Sequence, residues 1–407
     1  MKIKNHPVKP FSKIAVLSQT VAHTIPVKLA VGLTLALTIS LSVNSNAMST
    51  EKPLVEADNA HKKSMHHQLK SHLPEALFPQ KPLVTHMYTA DPSAHVFNGK
   101  LYIYPSHDIE SGVVRNSSGG HFDMRDYHVF SIDTVNENTQ SKVVDHGQAL
   151  HVDQVPWATK QMWAPDAAEK DGKYYLYFPA KDKDDIFRIG VATADTPTGP
   201  FVPEAEPIEN AYSIDPSVFQ DDDGSYYLYV GGIMGGQLQR WQTGSYVEED
   251  KYPADNEPVY MPKIAKLNAD MKSLAQPLQD VVLQDEFGKP ILQGDFDRKF
   301  FEAAWVHKIK NTYYFSYSTG HSRFIQYGTS KSPYGPFTWK GKVLEPVLGW
   351  TNHHSIAEFE GKWYLFFHDT SLSGGKTHLR NIKMVELIHN PDGTIQTVDA
   401  YLGEISE

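Results

Sequence analysis

The stretch DGSYYLYV, residues 223–230, places the two signals of a β-hairpin side by side. Asp-Gly is a preferred tight-turn pair, and the tyrosines and aliphatic residues that follow it favour a strand. Four further copies of this hairpin motif occur in the chain. In one of them Asn311 replaces the glycine, and asparagine also tolerates the left-handed conformation. The remaining copies are NGKLYIYP (98–105), DGKYYLYF (171–178), KNTYYFSY (310–317) and EGKWYLFF (360–367).

The five hairpins predict an all-β fold of the five-bladed β-propeller type over residues 81–407. One tyrosine in the strand after each turn serves as the anchor of its hairpin: Tyr102, Tyr175, Tyr227, Tyr314 and Tyr364. These anchors lie 50 to 87 residues apart, which leaves room for two more strands in each unit. RIGVATADTPTGPF (188–201) and FIQYGTSKSPYGPF (324–337) are near copies of each other and fit the outer strands of blades two and four. A β-sandwich is the alternative fold, but it does not explain five matched hairpins.

The first 47 residues differ from the rest of the chain. Five lysines and no acidic residue accompany the apolar run LAVGLTLALTISLSV, which is followed by the small-residue site SNA ending at Ala47. This is the pattern of a secretory signal peptide, and a run of about 15 residues is short for a membrane anchor, which is the alternative. We therefore expect an exported protein, periplasmic or extracellular, with no stable membrane insertion after cleavage.

Composition narrows the partners of the remaining chain. Without residues 1–47 the net charge changes from −10 to −15, which argues against nucleic acid or an anionic membrane as a partner. Cysteine is absent, so thiolate catalysis and thiolate metal sites are excluded. Residues 48–80, including HKKSMHHQLK, are interpreted as a polar leader or linker; metal binding by its histidines is the less favoured alternative.

Acidic residues occupy matched positions before the hairpins. Asp91 and Asp215 precede their anchors by eleven and twelve residues, Glu302 by twelve, and His353 by eleven, whereas blade two has Ala164 at this offset. In a propeller the innermost strands line the central channel, so these side chains are expected to converge there. The alternative is that each Asp-Pro pair only begins a turn.

Carboxylates gathered in one buried channel repel one another, which raises at least one pKa. One carboxyl then stays protonated as a general acid while another stays ionised as a general base, as glycoside hydrolysis requires. A glutamate inside the apolar run FFEAAW (300–305) supports this interpretation, because such a position is costly unless it has a function.

Six motifs occur in a fixed order along the chain: ADPSAHVFNGKLYIYPSHD (90–108), MWAPDAAEKDGKYYLYF (162–178), IDPSVFQDDDGSYYLY (214–229), FFEAAWVHK (300–308), NHHSIAEFEGKWYLFFHD (352–369) and LRNIKMVELIHNPDGTI (379–395). On these motifs the chain, over roughly residues 82–404, resembles glycoside hydrolase family 43, whose members are five-bladed propellers that act on xylans and arabinans. The resemblance implies Asp91 as general base, Asp215 as the residue that orients and tunes the acid, and Glu302 as general acid. It also implies inversion at the anomeric carbon, with base and acid carboxyls about 6.5–9.5 Å apart.

Further site residues follow from the same resemblance. Many members hold Ca²⁺ in the channel through one histidine and several waters, and the matching residue is His353, with His354 as the neighbour that could be confused with it. A buried histidine that only forms hydrogen bonds is the alternative. Arg380 matches an arginine that contacts the sugar, and Trp163 is predicted to lie beside the bound sugar or else to pack in the core.

Two features depart from the family pattern. Many members have Glu-Gly-Pro at the acid, where this chain has Glu302-Ala303-Ala304, so the local backbone geometry is in question. Some β-xylosidases of the family carry a C-terminal β-sandwich that closes the pocket. Here the chain ends at Glu407, and the segment between Gly232 and Gly294 is expected to close it instead.

The resemblance implies an oligosaccharide substrate and an exo-acting β-1,4-xylosidase as the first choice of function. α-L-Arabinofuranosidase, dual activity and endo-arabinanase are the alternatives within the family. A five-bladed fructosidase or anhydrogalactose hydrolase is a more distant alternative, and a non-catalytic glycan-binding propeller is the alternative from another class. The sequence does not indicate an oligomeric state.

Overall fold

A computed structural model describes residues 80–136 and 139–401 of the chain. The predicted signal peptide (1–47) and the leader (48–80), apart from Gln80, lie outside the described residues and stay predictions. Within the described part, the helical segments are short 3₁₀ turns, and no helix there has the length and apolar character to span a membrane. All described residues belong to one compact unit.

Among the described residues, twenty strands form five sheets that follow one another along the chain and are antiparallel except for one pair in blade four, so the predicted five-bladed propeller is confirmed. The first two blades have four strands each. These are β1 (Tyr88–Phe97), β2 (Lys100–Asp108), β3 (Asp126–Ile132) and β4 (Val144–His151), then β5 (Asp166–Lys170), β6 (Lys173–Lys181), β7 (Phe187–Ala194) and β8 (Val202–Pro203).

Blade three also has four strands, whereas blades four and five depart from that number. Blade four gains β13, which pairs in parallel with its outer strand, and blade five has three strands among the described residues. The strands are β9 (Ser217–Gln220), β10 (Tyr226–Val230), β11 (Lys263–Lys266) and β12 (Gln279–Asp280) in blade three, β13 (Leu283–Gln284), β14 (Glu302–Ile309), β15 (Thr312–Ser318), β16 (Ile325–Ser330) and β17 (Phe337–Leu344) in blade four, and β18 (His354–Phe359), β19 (Lys362–Asp369) and β20 (Asn381–Leu387) in blade five.

The matched motifs are the hairpins between the first two strands of each blade. The turns Asn98-Gly99 and Asp171-Gly172 have both residues at positive φ, between 53° and 76°, the conformation that suits a two-residue hairpin loop. The paired GPF segments, 199–201 and 335–337, lead into β8 and β17, which are outer strands of blades two and four, as expected.

The first strands of the blades form a ring. β1, β5, β9, β14 and β18 each contact the next, and β18 contacts β1 again. The ring is closed by backbone hydrogen bonds from Leu83 to Ile382 and from Thr89 to Arg380, which join the beginning of blade one to blade five. This ring brings the matched positions of different blades together.

Asp166 of blade two connects three blades. It is buried and accepts hydrogen bonds from Ser93 Oγ and from His95 Nε2 (2.6 Å) of β1 and from the backbone N–H of Val218 in β9 (2.5 Å). A buried carboxylate with this many donors is satisfied, so blade two contributes a structural acid where three other blades contribute site residues.

Candidate active site

The site forms where the first strands of blades one, three and four leave regular pairing. Asp91, Asp215 and Ala303 all have positive φ, 48°, 55° and 63°. β1 and β14 have bulges at these points, between Ala90 and Ser93 and between Glu302 and Trp305. A β-bulge changes the direction in which a side chain points, and a bulge lies beside two of the predicted catalytic carboxyls.

Asp91 is buried and surrounded by donors. Its carboxylate accepts hydrogen bonds from Ser106 Oγ (2.8 Å) and Arg380 Nη1 (2.9 Å), and its backbone N–H donates to His368 Nδ1 (3.0 Å). Burial alone would raise the pKa of Asp91, but the charge of Arg380 and the interactions with His368 outweigh it and hold the pKa far below its usual range. Asp91 is therefore ionised at neutral pH and well below it.

Arg380 has its donors occupied by protein groups. Nε and Nη2 donate to the two oxygens of Asp108 (2.8 Å each), while Nη1 donates to Asp91 and to Thr351 Oγ1 (3.2 Å). The side chain is buried, and its guanidinium lies 4.9 Å from the ring centre of Phe122. The structure thus places Arg380 as the fixed cation beside Asp91, and its predicted contact with the sugar stays a prediction.

Asp215 and Glu302 form a pair of carboxyls with raised pKa values. Burial is the first cause for both; the charge of Glu302 raises the pKa of Asp215 further, and the charge of Asp91 helps to raise that of Glu302 to about 8. The backbone N–H of Ala303 donates to Asp215 Oδ2 (2.9 Å), which favours negative charge on Asp215. Both carboxyls therefore hold a proton more tightly than usual, and Glu302, which is half-buried, is open to a ligand.

Gly232 makes room beside Glu302. A Cβ at this position would lie 2.5 Å from the side chain of Ile214 and 3.4 Å from Cβ of Glu302. The next residue, Ile233, donates its N–H to the carbonyl of Phe301 (2.8 Å). The chain after blade three is thereby held against the residue that precedes Glu302.

Ala303 occupies the position at which many family members have glycine, and its φ of 63° is one that glycine adopts at no steric cost. We expect Ala303→Gly to raise the free energy of unfolding by up to about 1 kcal/mol, since the left-handed strain of alanine disappears. Turnover should be retained because the N–H to Asp215 remains. Ala303→Val is the matched control and should destabilise the protein. Denaturant unfolding measures both, and a clear loss of stability in the glycine variant would contradict the strain argument.

His353 lies between the two aspartates. Its Nδ1 is 3.8 Å from Asp91 Oδ1 and 3.7 Å from Asp215 Oδ2, both longer than hydrogen bonds. Burial is the main cause that lowers its pKa to about 4, so the imidazole is neutral at neutral pH and retains a lone pair for a metal. The side chain of His354, by contrast, is fully buried, with Nε2 2.6 Å from Ser316 Oγ.

These distances test whether an ion fits. The neutral imidazole lies between two carboxylates and forms a hydrogen bond with neither. This arrangement suits a hard ion that is held mainly by water, and the residues present fit Ca²⁺ in this manner. The histidine predicted for the metal is therefore the one that the fold places between the predicted catalytic aspartates.

Trp163 packs in a small apolar cluster. It is 9% exposed, its Nε1 donates to the carbonyl of Phe122 (2.8 Å), and its ring centre lies 4.6 Å from that of Phe187. Gly119 and Gly235 approach the outer edge of the ring closely enough that a Cβ at either would lie 2.7 or 3.2 Å from it. Most of this side chain thus packs in the core, which was the alternative to a position beside the sugar, and a contact with sugar stays a prediction.

The expected closing segment, 232–294, needs a correction. It contains β11 and β12, the outer strands of blade three, and β13, which joins blade four. The irregular part is residues 231–262. Its beginning contacts the site, since Gly235 lies near Trp163 and the carbonyl of Gly236 accepts a hydrogen bond from Ser213 Oγ (2.7 Å).

Several residues that position the site were not predicted. Asp108 and His368 bind Arg380 and the backbone of Asp91, and a shared signal could have found them: the second strands of blades one and five both end in His-Asp. The buried carboxylate of Asp369 ends the corresponding strand of blade five and pairs with Lys383 Nζ (2.7 Å). An alignment of all second strands, beyond the hairpin turns, would have drawn attention to both pairs.

Comparisons with known proteins show the family to which the chain belongs. The family described as glycosyl hydrolases family 43 matches residues 79–395. Xylosidase/arabinosidase 43A from Humicola insolens is 55% identical over 78% of this chain and 98% of its own, and a beta-xylosidase from Xylanibacter ruminicola is 50% identical over 76% and 97%.

Solved structures give the same result. A family 43 beta-xylosidase/alpha-arabinofuranosidase from a compost microbial metagenome, solved with xylotriose in a calcium-free form, is 62% identical, covering 79% of this chain and 98% of that one, with a TM-score of 0.77. An enzyme of the family from Xanthomonas citri complexed with xylotriose is 52% identical, covering 84% and 98%, with the same TM-score. The chain therefore belongs to glycoside hydrolase family 43 and is a glycoside hydrolase.

Proposed function

We propose that the protein is an exo-acting, inverting β-xylosidase that releases xylose from the non-reducing end of β-1,4-linked xylo-oligosaccharides. The observation that carries the mechanism is the opposite protonation of two carboxyls, with Asp91 held ionised by Arg380 and Glu302 held protonated up to a pH of about 8. The names of relatives at 50–55% identity and the xylotriose complexes of two solved relatives support the choice of substrate.

Each carboxyl has one task in this mechanism. Ionised Asp91 accepts a proton from a water molecule as that water attacks the anomeric carbon, and Glu302 gives its proton to the leaving oxygen on the opposite side. The family resemblance gives Asp215 the task of orienting and tuning Glu302, and the N–H of Ala303 fixes the orientation of the Asp215 carboxyl. Arg380 acts on the reaction through Asp91, so we assign it a positioning role.

α-L-Arabinofuranosidase activity is the second candidate, because two relatives at 52–55% identity bear names that combine xylosidase with arabinosidase. We expect the highest kcat/KM on an aryl β-xyloside and a lower one on the aryl α-L-arabinofuranoside. A time course with xylotriose should release xylose and xylobiose together from the first minutes. Preference for the arabinoside would reverse the assignment, and inactivity on a panel that also includes galactosides would favour a glycan-binding propeller.

We also propose that Ca²⁺ binds near Asp91 and Asp215 through His353. The ion would supply positive charge beside the carboxylates, and His353 would hold its position. Dialysis against a chelator should lower kcat, and added Ca²⁺ should restore it. His353→Ala should have low activity that Ca²⁺ does not restore, while Glu249→Gln at the exposed surface serves as the control. Full activity in chelator-treated protein would contradict an essential ion.

A further inference from the structure

A second group of metal-type ligands lies on blade one. His107 of β2 and Asp126 and His128 of β3 offer ligand atoms that all lie within 4.8 Å of one another. His107 Nδ1 is 2.7 Å from Asp126 Oδ1, and His128 Nε2 is 3.6 Å from Asp126 Oδ2. We call these three residues the blade-one triad. Among the residues that the structure describes, no other group of three or more such ligands is this close.

The strand register places the blade-one triad on one face of the sheet. Ser106 pairs with Tyr127, so His107 stands opposite Asp126, and His128 follows two residues later on the same side. All three side chains are partly exposed, between 13% and 22%, which leaves an ion access from solvent. The backbone of two well-paired strands therefore holds the ligands in place before any ion arrives.

An outer carboxylate orients one of the histidines. His128 Nδ1 lies 3.1 Å from Asp145 Oδ1, and Asp145 is itself held by His86 Nε2 (2.8 Å) and the N–H of Gly147 (2.7 Å). Metal-bound histidines commonly give their second N–H to a carboxylate, which fixes the ring and turns the other nitrogen towards the ion. Here that arrangement directs Nε2 of His128 towards Asp126. The contact between His128 and Asp145 does not depend on the distances within the triad, and it also indicates that His128 is a metal ligand.

The donor types select the class of ion. Two imidazoles and one carboxylate, with a fourth position left to water, suit zinc and similar divalent transition metals. Calcium prefers six to eight oxygen ligands and is a poor match for two ring nitrogens. Ligand bonds of about 2.0–2.2 Å in a tetrahedron separate neighbouring ligand atoms by roughly 3.3–3.6 Å, so small side-chain shifts bring the triad to that geometry.

We propose that the blade-one triad is a binding site for a divalent transition-metal ion of the zinc type, separate from the position of His353. The site lies on the strand that supports the catalytic centre. Ser106 and Asp108, the neighbours of His107 on β2, hold Asp91 and Arg380. An ion at the triad would tie β2 to β3 at this point and should raise the melting temperature of the protein.

The test uses the full chain and Zn²⁺ alone as the probe, after removal of metals with a chelator. Wild-type protein should bind one more zinc ion than His107→Asn/His128→Asn, measured by elemental analysis after dialysis. His146→Asn, a histidine of the same blade that contacts Ser131, and His66→Gln/His67→Gln in the leader are the controls that should keep this ion. Co²⁺ in place of zinc should give visible absorption bands in wild-type protein that the double variant lacks.

Asp145→Asn gives a graded result, since all three ligands remain. We expect its zinc affinity to fall by about 10- to 100-fold. Zn²⁺ should raise the melting temperature of wild-type protein, and Ca²⁺ should not do so through the triad. The proposal would be overturned by equal zinc content in wild-type protein and the double variant. If the double variant does not fold, an unchanged zinc affinity in Asp145→Asn would overturn it. These outcomes are expected if the histidines and the aspartate of the triad only form salt bridges and bind no metal ion.

Discussion

Replacing Glu302 by glutamine should lower kcat on xylobiose by about 10³-fold, because a general acid contributes roughly 10²–10⁴ to such a reaction. On an aryl β-xyloside whose leaving phenol is strongly acidic, the loss should be below about tenfold, since that oxygen departs without a proton. In wild-type enzyme the activity on xylobiose should fall as the pH rises through about 8, where Glu302 loses its proton. Initial rates with the two substrates across pH measure all three effects.

The comparison between leaving groups is what identifies the acid. Glu249→Gln, an isosteric change at an exposed surface position, is the control and should leave both rates unchanged. An equal loss on both substrates would show that Glu302 acts elsewhere in the reaction. An alkaline limb that persists near pH 8 in Glu302→Gln would assign that titration to another group.

Replacing Asp91 by asparagine should abolish turnover on every substrate, with a loss of at least about 10³-fold whatever the leaving group. The base acts on the attacking water, so an easier departure of the leaving oxygen does not compensate for its loss. The side chain keeps its volume, and Ser106 and Arg380 remain as neighbours. Steady-state kinetics on xylobiose and on the activated aryl xyloside measure the effect.

Arg380 provides the companion measurement. In Arg380→Lys the pKa of Asp91 should rise, because the two-point contact of the guanidinium with Asp108 is lost and the cation moves. Asp91 should then begin to lose its charge on the acid side of the pH profile, so kcat should fall at low pH in Arg380→Lys where wild-type enzyme keeps its activity, while KM changes little. Substantial activity in Asp91→Asn, or the same pH profile on the acid side in Arg380→Lys and wild-type enzyme, would contradict the roles given to these residues.

The sequence predicts the fold well because the propeller repeats one local signal. A tight turn and an aromatic strand are short-range features, so the hairpins at Gly99 and Gly172 are visible without knowledge of the rest of the chain. The convergence of Asp91, Asp215 and Glu302 follows from the repeat itself, since equal offsets in equal blades lead to one channel. The outer strands are harder to predict, and the segment 232–294, which the sequence predicts as a closing loop, contains three short strands.

The electrostatic support of the site could not be predicted from the sequence. Asp108 and Arg380 are 272 residues apart, and their contact depends on the closure of blade five onto blade one. Asp166 has the same origin, since it binds β1 and β9 only because blade two stands between them. Long-range pairs of this kind set the ionisation of Asp91 and the rigidity of the ring, and no local sequence pattern predicts them.

The configuration of the first sugar released tests the central claim most directly. Proton NMR of the reaction with an aryl β-xyloside, recorded before mutarotation, should show α-xylose first, because Asp91 directs water to the face opposite the leaving oxygen. β-Xylose as the first product would mean retention. It would contradict the assignment of Asp91 as base and Glu302 as acid in a single inverting displacement.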